Sequence, residues 1–195
     1  MNPFSQVRLA LVAPSGSGKS TTAQLLRTYF EDEGLTVEVI KLAQPLYDLQ
    51  QAFYQHAGVA LMPGTQNQCL LEGIARDLRL LNSHSLVAGF AQRLKQSTAQ
   101  VVINDDLRDD AIDWPYLRTE GFQVVKILVD HALRQSRLGQ RGDVTVVENS
   151  ALDLQTHRIK ADYVLPNNSS LDQLEKRVAV VAQWAMHGSQ CRLVS

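Results

Sequence analysis

The chain has 195 residues, 45 % of them hydrophobic and 20 % charged, with a formal net charge of −1 at pH 7. That length suits one domain with a substantial core, and the near-neutral balance argues against a protein-wide basic field for nucleic acid or an anionic membrane. The two cysteines, Cys69 and Cys191, and the five scattered histidines lack metal-ligand spacing, which disfavours a His/Cys metal site and reads as free thiols in a reducing, cytoplasmic setting.

The first apolar run, "VRLALVA" (7–13), reads as a buried strand rather than a signal peptide, since Lys19 follows soon and no small-residue cleavage site appears. It leads into "APSGSGKS" (13–20), which fits the phosphate-cradling pattern G-x-x-x-x-G-K-[ST] except at the first position, where Ala13 replaces glycine. Gly16 and Gly18 let the backbone curl so that N–H groups point at phosphate oxygens. Lys19 brings a cation to the β- and γ-phosphates, and Ser20 offers a hydroxyl to Mg²⁺. Ser15, Gly16, Ser17, Gly18, Lys19, Ser20 and Thr21 are therefore candidate ligands of a nucleotide, at the start of a helix whose dipole favours the anion. A methyl at Ala13 is tolerable at a strand end, where φ stays negative.

That helix stops at Gly34; a second strand is expected over 36–42 and a second helix over 44–58, ended by Gly58. A loop with Pro63 and Gly64 precedes helices at about 66–82 and 85–97. In the first of these, Leu71, Ile74, Leu78 and Leu81 share one face and Gln68, Glu72, Arg76 and Arg79 the opposite one. The polar face is a candidate wall of an acceptor pocket, with Gln68 and Arg76 as substrate ligands and Arg76 the leading phosphate ligand. The third strand, 100–106, ends in "INDDLR". Asp105 and Asp106 at a strand's carboxyl end can hold Mg²⁺ through water or accept a proton, and Arg108 can clamp a phosphate.

A short helix over 113–120, a fourth strand over 122–130 and a helix over 131–138 follow. Arg134, Arg137 and Arg141 lead into a glycine-bearing flap at 139–150, which suits a lid that closes over transferring phosphates and excludes water. A fifth strand (161–167) and a last helix (169–186) complete the chain, with a tail at 188–195. In that helix Ser170 and Gln173 have capping-box spacing, and Leu171, Leu174, Val178 and Val181 line one face. Five apolar strands separated by helices predict an α/β fold with a parallel sheet covered on both faces.

The pieces "APSGSGKST", "KLAQPLYDLQQAFY", "VINDDLR", "RGD" and "ADYVLPNNSSLDQLEKRV", in that order, resemble the P-loop nucleotide kinase superfamily, most of all its deoxynucleoside monophosphate kinase-like group, with dephospho-coenzyme A kinases as a neighbour. The resemblance spans nearly the whole chain. It implies a three-layer α/β/α domain over 1–187 with a five-stranded parallel sheet and a short lid at about 134–150. It also implies transfer of the γ-phosphoryl of ATP, with Mg²⁺, to the phosphate of a nucleotide.

Carried over by position, Gly16, Gly18, Lys19, Ser20 and Thr21 would hold ATP and Mg²⁺. Lys41 and Gln44 would edge the acceptor pocket, and Asp105, Asp106 and Arg108 would flank the acceptor. Arg137 and Arg141 would be lid arginines, and Asn167 would lie near the adenine. Related enzymes are often dimers, for which the helices of 66–97 would supply an interface. Ala13 and the short lid depart from the family pattern. Three other readings stay open: a kinase of a nucleoside or coenzyme precursor, a nucleotide-binding switch, and a nucleic-acid end kinase. The chain lacks the guanine-reading N-K-x-D motif, and its charge disfavours nucleic acid.

Overall fold

The computed structural model describes residues 6–62, 64–140 and 151–191. In chain order, β1 (Val7–Val12) leads to α1 (Lys19–Asp32), and β2 (Val37–Val39) to α2 (Gln44–His56), α3 (Gln68–Leu81) and α4 (Ser85–Gln96). Next come β3 (Val101–Leu107) with α5 (Asp113–Thr119), and β4 (Gln123–Leu128) with α6 (His131–Gln140) and α7 (Ala151–Arg158). The chain closes with β5 (Tyr163–Pro166) and α8 (Leu171–Cys191).

The five strands pair in the order β2-β3-β1-β4-β5, all parallel. Their near-continuous apolar runs follow from burial on both faces. Leu9, Leu11, Ile103 and Val125 pack with Leu26 and Phe30 of α1 and with Leu174, Val178 and Val181 of α8. Ala10, Val12, Val102 and Val124 pack on the opposite face with Phe90 and Leu94 of α4 and Leu117 of α5. The expected three-layer α/β/α arrangement is thus present, and no helix among the described residues is long and apolar enough to cross a membrane.

Two helix ends carry the glycine signals seen in the sequence. Gly34 (φ 78°) follows α1, where the Gly34 amide donates to Glu31 O and the Leu35 amide to Phe30 O. Gly58 (φ 68°) closes α2 in the same way, with Val59 N on Tyr54 O. Ser170 Oγ accepts from the Gln173 amide, completing half of the expected capping box at the start of α8.

Three boundaries differ from expectation. The second strand covers only Val37–Val39 rather than 36–42, because the Leu42 and Ala43 amides turn away to the Asp106 carboxylate. Residues 151–158 form a helix that the sequence did not announce. The last helix continues to Cys191, since no proline interrupts it, so the first residues of the expected tail are helical. Residues 141–150, with Arg141 and most of the expected flap, lie outside the described residues.

Helix α1 leaves β1 toward one face of the sheet and α5 leaves the neighbouring β3 toward the other. Adjacent strands whose connections diverge open a crevice between their carboxyl ends, and the site lies there.

Candidate active site

The loop between β1 and α1 is built around two glycines in a backbone conformation that other residues rarely adopt. Gly16 and Gly18 have φ of 79° and 89°, in the left-handed region. A Cβ on Gly16 would lie 2.7 Å from Leu138 Cγ, and one on Gly18 would lie 2.6 Å from Asn167 Nδ2. Gly18 is the N-cap of α1 and supplies no side-chain acceptor, so the first amides of the helix are left for an anion. Lys19 Nζ donates to Ala13 O at 2.5 Å and Pro14 O at 3.0 Å. Burial, and then the Arg108 guanidinium, lower the Lys19 pKa to about 7 against the raising effect of Asp153 and Asp105. Ser17 Oγ is buried without a hydrogen-bond partner. Ala13 is itself buried in the core, so the departing first position contributes packing rather than a phosphate ligand.

Strand β3 presents the second half of the site through an irregularity. Ala10 pairs with Asn104 but Val12 with Leu107, so β3 carries one extra residue over Asp105 and Asp106. Such a bulge re-aims the side chains it contains. Asp105 takes Lys41 Nζ at 2.5 Å. Asp106 accepts from the amides of Leu42 and Ala43, both at 2.9 Å, and from Asn104 Nδ2 at 2.6 Å. Burial and the neighbouring Asp105 raise the Asp106 pKa, opposed by those two amides and Lys41. Arg108 Nη2 donates to Ser15 Oγ at 3.1 Å, tying the end of β3 to the glycine loop.

Two cavities meet at this point. The larger, about 710 Å³, is lined by the Ser15–Thr21 loop, Lys41, Asp105, Arg137, Leu61, Met62 and Thr65, among others. The smaller, inner one, about 70 Å³, is lined by the apolar side chains of Leu42, Leu46, Leu71, Ala75 and Leu86 and by the polar ones of Gln68, Glu72, Arg79, Asp109 and Asp113. Tyr47, Gln66, Asp106 and Arg108 line both.

No family model and no curated protein matches the sequence. Solved structures do. A gluconokinase from Sinorhizobium meliloti 1021 superposes with a TM-score of 0.55 at 15 % identity, over 96 % of this chain and 99 % of that one. A shikimate kinase from Acinetobacter baumannii in complex with shikimate superposes with a TM-score of 0.54 at 15 % identity, over 92 % of this chain and 95 % of that one. The fold is that of the P-loop kinases.

Within this P-loop kinase fold, the sequence-nominated residues separate into three groups. Ser15, Gly16, Ser17, Gly18, Lys19, Ser20, Thr21, Lys41, Asp105, Asp106, Arg108 and Arg137 all line the larger cavity. Ser20 and Thr21 are exposed there, and Asp105 is buried with its carboxylate on Lys41. Gln68 lines the inner cavity, where its amide donates to Glu72. Two residues stand elsewhere than expected. Gln44 lines neither cavity, because its side chain runs along its own helix to Asp48. Arg76 is also outside both, with a side chain 71 % exposed and paired with Asp77; one turn on, Arg79 occupies the place foreseen for it. Asn167 donates from Nδ2 to Ser17 O at 2.9 Å and is buried, so it braces the glycine loop.

Several further residues take part in ways the sequence did not announce. Arg134 is buried in a pair with Asp153 of α7 at 3.2 Å, and Asp153 also accepts from the Ser15 amide, so Arg134 anchors the loop from behind rather than facing the cleft. Asp109 Oδ1 accepts from the amides of Ala111, Ile112 and Asp113, fixing the start of α5. Arg79 meets Asp113 at 2.8 Å and Asp109 at 3.6 Å. Burial raises the Asp113 carboxyl to about 7, with Asp109 and Asp106 adding to the rise and Arg79 opposing it. The nearest signal was the polar face of the helix over 66–82, which includes Arg79 but does not say which turn meets the pocket.

Proposed function

We propose that the chain is an ATP- and Mg²⁺-dependent kinase that transfers a phosphoryl group to a nucleoside or deoxynucleoside monophosphate, giving the diphosphate and ADP. The observation that carries this reading is the pair of cavities joined through Arg108 and Asp106: a donor cleft and an acceptor pocket share a junction lined by both signs of charge. A nucleotide switch needs only the first cavity. The two similar structures, a gluconokinase and a shikimate kinase by name, support transfer to a small molecule.

The residues fit ATP. The cradle that a Cβ would fill at Gly16 and Gly18, the unpartnered Ser17 hydroxyl and the poised Lys19 suit a polyphosphate. ATP supplies the transferable phosphoryl group, and Mg²⁺ would be held by Ser20 and, through water, by Asp105. Phosphoryl transfer asks the protein for alignment, charge neutralisation and exclusion of water. Lys19 neutralises donor phosphate charge, Arg137 reaches the same cleft, and Arg108 with Lys41 faces the junction where an acceptor phosphate meets the donor. Leu46, Leu71 and Leu86 give the acceptor side an apolar lining. We read residues 1–187 as one catalytic domain with a lid at about 134–150.

A second reading, a hydroxyl acceptor with Asp105 as general base, is favoured by the position of that carboxylate at the edge of the donor cleft. ADP release with ATP and Mg²⁺, measured against ribo- and deoxynucleoside monophosphates, nucleosides and coenzyme precursors, decides between them. Monophosphate-dependent turnover that is lost in Lys19→Ala is the expected result. Turnover no faster than with ATP alone for every monophosphate overturns the proposal.

A further inference from the structure

We infer that the buried Arg134–Asp153 pair positions the phosphate loop: the Asp153 carboxylate holds the Ser15 amide in place, and Arg134 supplies the counter-charge without which that carboxylate would repel a polyphosphate. This rests on the ATP-binding half of the reading above, and it gives a role to two residues that line neither cavity.

Both oxygens of Asp153 are engaged outside its own helix. Oδ1 accepts from the Ser15 amide at 3.3 Å, and Oδ2 accepts from Arg134 Nη1 at 3.2 Å. The two side chains are buried, at 5 % and 8 % exposure. Arg134 comes from α6, whose backbone also presses on the loop: a Cβ on Gly16 would lie 3.0 Å from the Arg134 carbonyl oxygen. Asp153 comes from the first turn of α7, where its own carbonyl accepts from Thr156 Oγ1. Ser15 is thus gripped twice, at its amide by Asp153 and at its hydroxyl by Arg108.

A tie between α6 and α7 does not call for charge. The cost of desolvating a buried ion pair offsets most of its attraction, and apolar side chains of similar size often serve as well or better. A carboxylate beside an anion site is, moreover, a liability unless a cation answers it. Asp153 is close enough to matter: of the carboxylates acting on Lys19 it has the largest effect, favouring the charged form of the lysine. The amide contact gives the reason for an acceptor at this place, and Arg134 at the other oxygen makes its charge tolerable. Removing the arginine alone therefore leaves a buried negative charge on the phosphate loop, whereas removing both charges leaves the loop neutral there.

The test is the Kd of ATP and of inorganic tripolyphosphate, which has no base, measured by calorimetry on the full chain and on Arg134→Met, Asp153→Asn and the double variant. Arg134→Met is expected to weaken both ligands by about tenfold or more, because an unpaired buried charge acts through a low-dielectric interior. Adding Asp153→Asn, which keeps an acceptor for the Ser15 amide but removes the charge, is expected to recover most of that loss. Asp153→Asn alone leaves the arginine in excess, and is expected to bind both ligands at least as tightly as the wild type. A merely structural tie would weaken binding in every variant, and most in the double one. That pattern overturns the inference and leaves the kinase reading intact. If Arg134→Met fails to fold, Asp153→Asn still decides: tenfold weaker binding of both ligands overturns the inference, and unchanged or tighter binding upholds it. A wild type that binds neither ATP nor tripolyphosphate overturns both readings.

Discussion

Lys19 shows what burial in the glycine loop does to a single residue. Its folded pKa of about 7 lies below the ordinary lysine value of 10.5, so the unfolded chain binds more protons between those values. Its contribution to stability is thus fully present above pH 10.5 and lost as pH falls through about 7. Asp113 runs the other way: raised from 3.8 to about 7, it contributes fully below 3.8 and loses that contribution as pH rises through about 7. For these two groups together the minimum falls near neutrality. A bound polyphosphate restores the lysine's charge, so ATP binding at pH 8 is expected to take up about one proton and at pH 6 almost none. Calorimetry in buffers of different ionisation enthalpy measures this; equal uptake at both pH values would exclude Lys19 as the source. Gly18→Ala is expected to cost about 1–3 kcal/mol from strain at φ 89°, and to abolish ATP binding by pushing Asn167 off Ser17, read by denaturant titration and nucleotide titration. The glycine loop was legible because its residues are contiguous. The Arg79–Asp113 pair was not, because its members stand 34 residues apart and one helical face offers Arg76 and Arg79 alike.

At the scale of elements, each strand was legible from its apolar run, and the helices closed by Gly34 and Gly58 from their stops. Helix α7 was missed because "ALDLQTHR" carries little apolar periodicity, and what holds it is tertiary: the Asp153–Arg134 pair and the Lys126 ammonium, which donates to Ile159 O just beyond the helix. The bulge in β3 was equally invisible, since an extra residue in a ladder leaves no mark on composition. It is also what turns two successive carboxylates to different partners. Asp109 is the element-scale test. Asp109→Ala removes the acceptor for three amides at the start of α5 and is expected to cost about 1–2 kcal/mol, seen as a Tm lower by several degrees. An unchanged Tm would mean that water replaces the cap at no cost.

Across the whole molecule, the glycine loop is where remote parts of the chain converge: Asn167 after β5, Arg108 after β3 and Asp153 on α7 all bond to it. A ligand seated there bears on the whole fold. At a hundred times its Kd, ATP is expected to stabilise the protein by about 2.7 kcal/mol, raising Tm by several degrees; Lys19→Ala should abolish the shift, and a shift that persisted would place ATP elsewhere. The carboxylate that holds the Leu42 and Ala43 amides bears on how the chain reaches this state. Asp106 lies 64 residues downstream of Leu42, as Asn104 does of the Ile40 carbonyl it holds. A chain emerging from the ribosome can thus form α1 early, but it cannot close the turn after β2 until β3 has been made. That side of the cleft is a late product of synthesis, and a nascent chain arrested before residue 104 would leave that turn open to proteolysis.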